Sequence, residues 1–176
     1  MTNLLYKLKK PKNSSQVLLS TLNIAGPIAG VVFTVTALSS SIISRQPQQL
    51  PISAVAQIGN KKIQLEVAQI PEELAKGLKF RKQLPQDTGM LFELGKSVEK
   101  APFWMKDVHI PLDILFLQDG VVKTIVQSAP PCPKEPCKIY YSTEPVHQVL
   151  ELSAGSVARL GIKEGTTLKI TDKTRG

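Results

Sequence analysis

The residues best equipped for chemistry are gathered in one stretch, Pro102 to Leu117, PFWMKDVHIPLDILFL. It holds Trp104, the only tryptophan of the chain, with Lys106, Asp107, His109 and Asp113 set between Phe103, Met105 and a closing apolar run. Polar groups among large apolar side chains must find a partner, so such a cluster is either a ligand site or an internal network. With Arg81, from the upstream run GLKFR, these residues suit a pocket with aromatic walls whose charged groups fix a small polar or anionic ligand. The structural alternative has Asp113 accepting backbone N–H groups or pairing with Arg81, and Lys106 lying over the Trp104 ring. A hydrolytic reading would use Asp113 or Asp107 with His109 as acid and base. His147, the other histidine, falls in an alternating strand, where a surface or satisfied position is expected. No nucleophile–base pair is recognisable, so no residue is assigned a catalytic role.

Cys132 and Cys137 are the only cysteines, five apart in a proline-rich loop. In an exported domain they read as a disulfide. A metal site would need further ligands, with His147 the one candidate, and a redox pair would more often be C-x-x-C at a helix start. No metal and no cofactor are therefore expected. Asp87-Thr88-Gly89 spells the aspartic-protease triplet but follows Pro85-Gln86, and reads as a turn feeding a strand. Ser156 lacks a nucleophile-elbow context, and phosphate-loop, dinucleotide and zinc-protease motifs are absent.

The elements that must position these residues are short strands. Ile52–Ile58 and Lys61–Ala68 flank Gly59-Asn60, and Ile63, Leu65 and Val67 alternate with polar residues, which is a β-hairpin pattern. Pro71-Glu72-Glu73 opens a helix, with Leu74 and Leu78 toward the core. Strands are predicted at Gly89–Phe92, Phe103–Met105, Asp113–Leu117 and Val121–Gln127, the last two joined at Asp119-Gly120. Gly95–Lys100 reads as a loop. Val146–Leu152 alternates as a strand, Ser153 caps a short helix ending at Gly161, and Thr166–Thr171 is the last strand. The class is α+β, mainly β: antiparallel strands curled into a small barrel-like core with two short helices. A doubly wound fold is disfavoured for want of βαβ alternation.

Charge divides the chain. Of 22 basic residues against 14 acidic, five basic residues and no acid precede Gln46, leaving 17 against 14 beyond it. Ser14–Ser44 carries no charge, and Val17–Ile43, 27 residues, is long enough to span a bilayer. The four lysines before it place the N-terminus in the cytoplasm and the remainder outside. The expected organisation is a basic cytoplasmic arm (1–16), a transmembrane signal anchor or cleaved signal peptide (17–43), a linker (44–51) and a β domain (52–172). The membrane is then one partner, and a small ligand or an envelope protein another. Basic residues are scattered in the domain and its aromatics sit in apolar runs, so no nucleic-acid partner is expected.

Three runs, GLKFRKQLPQDTGMLF, PFWMKDVHIPLDILFL and VLELSAGSVARLGIKEG, resemble the domain-of-unknown-function 192 family, also called UPF0127, over about Gln57 to Ile170. The Pro-Cys insertion and the N-terminal segment look like cyanobacterial members. The resemblance implies a small, mainly β domain, often exported, and no established activity. The chain departs from the family pattern at Lys79, where Met is usual, at Asp107-Val108, where Asn-Thr is usual, and at Gly165-Thr166, where Gly-Asp is usual.

Overall fold

A computed structural model describes residues 45–173, so the basic arm and the expected spanning segment lie outside the described residues. Among the described residues no helix is long and apolar enough to cross a membrane. Nine strands and two short helices follow in order: β1 (Ile52–Ile58), β2 (Lys61–Ala68), α1 (Pro71–Lys76), β3 (Thr88–Val98), β4 (Pro102–Trp104), β5 (Leu112–Gln118), β6 (Val121–Ala129), β7 (Ile139–Tyr141), β8 (Val146–Ser153), α2 (Ser156–Leu160) and β9 (Lys169–Asp172). The Gly59-Asn60 and Asp119-Gly120 hairpins form where the turn residues place them; Asp119 and Gly120 take φ of 52° and 74°, the left-handed pair that matches strand twist. In α1, Pro71 opens the helix and the Glu73 carboxylate reaches back to the Gln69 N–H at 3.0 Å.

Seven strands make one sheet in the order β6-β5-β8-β3-β2-β1-β9, and β4 and β7 form a separate two-stranded ribbon. The barrel-like core expected from the sequence is corrected to an open, curled sheet. Its two edges approach at one end only, through a bridge between Val121 and Thr167 and the Leu168 N–H to Gly120 carbonyl bond. The β2–β3 pair is parallel, with α1 in its connection, which hairpin spacing alone did not reveal. Other corrections are local. β3 runs on through the expected loop to Val98, β4 begins one residue early, and α2 is capped by Gly155 rather than Ser153.

β5, β8 and β3 are covered on both faces. Leu112, Ile114 and Phe116 of β5 join Met90, Phe92 and Val149 in one core, while Leu115 and Leu117 join Leu65, Leu91, Leu150 and Leu152 in the other. The second core also takes Ala54, Ala56 and Val122 from the outer strands, so it lies inside the curl. The first core is roofed by Leu78, Met105, Val108 and Tyr140, from the segment after α1, the loop after β4 and the ribbon. That roof is incomplete, and the gap in it is the site.

Candidate functional site

One row of side chains on the roofed face crosses four strands: Glu66 (β2), Met90 (β3), Glu151 (β8) and Ile114 (β5), each paired with the next. Two of these are buried carboxylates, and their surroundings differ. Glu66 takes both Arg81 guanidinium nitrogens at 2.6–2.7 Å and also accepts the Leu50 N–H. Glu151, two strands along, is 4 % exposed and has no hydrogen-bond or ionic partner among the described residues. Burial pushes its carboxyl up to about 8, and no cation is close enough to hold it ionised. At pH 7 it is therefore mostly a neutral acid with a proton to donate.

Glu151 lines a cleft of about 390 Å³, otherwise walled by Leu74, Leu78, Phe92, Leu94, Phe103 and Trp104, with Lys76 and Lys79 also contributing. That volume lies in the range of small-molecule sites. The walls are fixed. Phe103 meets Phe92 edge-on at 5.1 Å and Phe116 at 5.8 Å, and the Gly77 backbone approaches Phe92 so closely that a Cβ would lie 3.1 Å from the ring. A larger hollow of about 720 Å³, lined by Ser53, Gln69, Glu93 and Gln148 among others, offers no comparable group, because its Glu93 is engaged by the Gln148 amide.

The residues that sequence reasoning grouped are distributed over several places. Of Arg81, Trp104, Lys106, Asp107, His109 and Asp113, Trp104 alone lines the cleft. Arg81 is half-buried in its pair with Glu66, also donates to the Gln48 carbonyl at 2.7 Å, and leaves its Nε without a partner. Asp113 points to the other core, where its two oxygens accept the Ser128 and Val157 N–H groups at 2.8 Å. Lys106 pairs with Glu135 at the surface, and that contact raises the lysine's pKa and lowers the acid's. Asp107 and His109 border a separate hollow with Pro131, Cys132 and Pro133. The His109 ring meets Phe80 edge-on at 6.1 Å, and no carboxylate among the described residues lies within hydrogen-bond distance of it. Asp107 has φ of 61° and its carbonyl accepts the N–H of Phe80, itself at φ 65°, so its position is set by backbone demand. His147 sits beside Gln118, at 3.1 Å. Cys132 and Cys137 form a disulfide. Among the described residues no group of three or more His, Cys, Asp or Glu is placed to hold a metal ion.

Glu151 was missed because β8 reads as a half-buried alternating strand, which turns a glutamate toward solvent. The available signal was the run VLEL: a strand apolar at both parities is covered on both faces, and an acid inside it has no solvent face to occupy.

The domain is mainly β, with a largely apolar cleft that one buried acid, Glu151, lines. Residues 54–170 match the DUF192 family, described as uncharacterized ACR, and the chain belongs to that family. Two solved structures are similar. One, described as a candidate transcription regulator from Sinorhizobium meliloti 1021, is 36 % identical over 70 % of this chain and 97 % of its own, with a TM-score of 0.63. The other, a protein of unknown function from Novosphingobium aromaticivorans DSM 12444, is 32 % identical over 70 % of this chain and 92 % of its own, with a TM-score of 0.60. The match spans nearly the whole of both solved chains, so in them the domain folds as a chain of its own. No curated protein matches.

Proposed function

We propose that the chain is a membrane-tethered, extracytoplasmic binding module whose cleft takes a small apolar molecule that presents a hydrogen-bond acceptor to Glu151. The observation that carries the cleft reading is the unpartnered carboxyl in a largely apolar space. The carboxyl oxygens are open to the cleft rather than sealed, so a ligand atom that accepts the carboxyl proton takes the place of solvent there. Lys76 and Lys79 at the cleft disfavour a cationic ligand. The tether is supported by the uncharged run before Arg45, and the outside location by the lysines ahead of that run and by the Cys132–Cys137 disulfide. Hydrolysis has less support, since Asp113 is occupied by two backbone N–H groups and no carboxylate among the described residues lies within hydrogen-bond distance of His109. A nucleic-acid partner is not part of this proposal, because the described domain has no concentrated positive surface in its sequence.

Acetophenone and cumene have similar shapes, but only the first has an acceptor. In ¹H–¹⁵N spectra of residues 46–176, both are expected to shift cleft amides from Leu74 to Lys79 and around Phe92 and Trp104. Acetophenone should bind several-fold more tightly at pH 6.5 and lose that advantage as pH rises through about 8. Glu151→Gln, which keeps a donor, should retain the preference and lose its pH dependence; Glu151→Leu should abolish it. Equal binding of both probes to all three proteins, or shifts outside the cleft, would refute the reading.

A further inference from the structure

Four large apolar side chains are exposed among the described residues: Ile70, Trp104, Ile139 and Tyr141. Three of the four share one face of the β4–β7 ribbon. Trp104 pairs with Ile139 and Pro102 with Tyr141, so these side chains stand together on the outer side, while Phe103 and Tyr140 between them turn inward. The inward pair already fastens the ribbon to the core, so packing does not require Trp, Ile and Tyr outside. Contiguous apolar surface of this kind marks an interaction site.

Two features say what covers it. The first is charge and residue type. Lys138 adjoins Ile139 at one end of the patch, its ammonium over the Tyr140 ring at 4.9 Å, and Lys100 lies two residues before Pro102 at the other, with Glu99 its acidic neighbour. Pro102 and Trp104 also line the cleft, which brings Lys76 and Lys79 to the same side. Exposed Trp and Tyr with lysines close by in the chain suit the headgroup level of an anionic bilayer. The second is where the chain leaves the fold. The Gln48 side chain donates to the carbonyls of Glu73 and Gly77 at 2.9 and 3.0 Å, and Gly77 lines the cleft. Gln46, where the domain begins, is two residues earlier and so within roughly 7 Å of Gln48.

We infer that the outer face of the β4–β7 ribbon, Trp104, Ile139 and Tyr141, is a contact surface for an anionic lipid bilayer, seated so that the cleft mouth faces the headgroups. This draws on the proposed tether but not on the cleft's ligand. Trp104 is the only tryptophan, so its fluorescence reports this face in the whole chain. The full chain reconstituted in phosphatidylcholine vesicles with 30 % phosphatidylglycerol, and residues 46–176 added to the same vesicles, should both show blue-shifted Trp104 emission quenched by brominated lipid. Ile139 and Tyr141 do not line the cleft, so the variant Ile139→Ser/Tyr141→Ser isolates the patch. It should weaken vesicle binding of the 46–176 domain by about tenfold or more, with an unchanged circular dichroism spectrum. Docking by the domain when the full chain does not insert would remove the tether and keep this contact. Trp104 emission that ignores vesicles in both proteins overturns the inference and leaves the face to a protein partner. So does a variant that binds as well as the parent, or a parent dimer that the variant dissociates.

Discussion

A carboxyl that is buried without a counter-ion makes stability depend on pH, and Glu151 is that carboxyl. In the unfolded chain it ionises near 4.5, in the fold near 8, so folding takes up a proton between those values. Its stabilising influence is present in full below pH 4.5 and is lost as pH rises to about 8, a difference on the order of a few kcal/mol. Glu151→Gln should flatten the urea-midpoint profile across that window and exceed the parent in stability at pH 8.5 by about 2–4 kcal/mol; identical profiles would show that the carboxyl is partnered or solvated. Asp107 answers to a different rule. Its φ of 61° suits Asn, Asp or Gly, so Asp107→Asn should be near neutral and Asp107→Ala should cost about 1 kcal/mol in the same measurement. At this scale the sequence was legible for residue type and not for direction. Trp104 could be picked out as a wall of a pocket, but which side Arg81, Asp113 and Glu151 face depends on strand parity and on how many faces of the sheet are covered.

Elements are held here by side chains that satisfy backbone groups across chain distance. Asp113 joins the end of β6 to the start of α2 through two N–H groups, so Asp113→Ala leaves both unsatisfied. It should lose about 3 kcal/mol and speed amide exchange first in Ser156–Leu160, whereas Lys106→Ala, at an exposed pair, should leave stability unchanged. The Asp119-Gly120 turn carries a second constraint. A Cβ on Gly120, at φ 74°, would lie 2.7 Å from the Leu168 carbonyl oxygen, whereas one on Gly161, at φ 65°, would meet open space. Gly120→Ala is therefore expected to cost about 2–3 kcal/mol and Gly161→Ala about 1, by urea unfolding. The two hairpins, the Pro71 helix start and the Gly161 helix end were readable because turn and cap residues act locally. The parallel β2–β3 pairing and the extension of β3 to Val98 were not, because both are decided by neighbours distant in sequence.

The described domain is a sheet curled around one core with a second core on its outer face, the latter only partly roofed. Strand number and hairpin lengths suggested a barrel. The curl stops short of one because β6 and β9 do not pair: the start of β6 meets only the segment before β9, through the Val121–Thr167 bridge and a few backbone hydrogen bonds beside it, a relation no local pattern encodes. The incomplete roof leaves Glu151 facing an apolar cleft, and everything proposed about ligand binding follows from that. The direct measurement is a ¹³C titration of the Glu151 side-chain carboxyl in residues 46–176, with and without acetophenone. A midpoint near 8 that rises further with acetophenone is the expected result, since an acceptor stabilises the protonated form. A midpoint near 4.5, indifferent to acetophenone, would contradict the account.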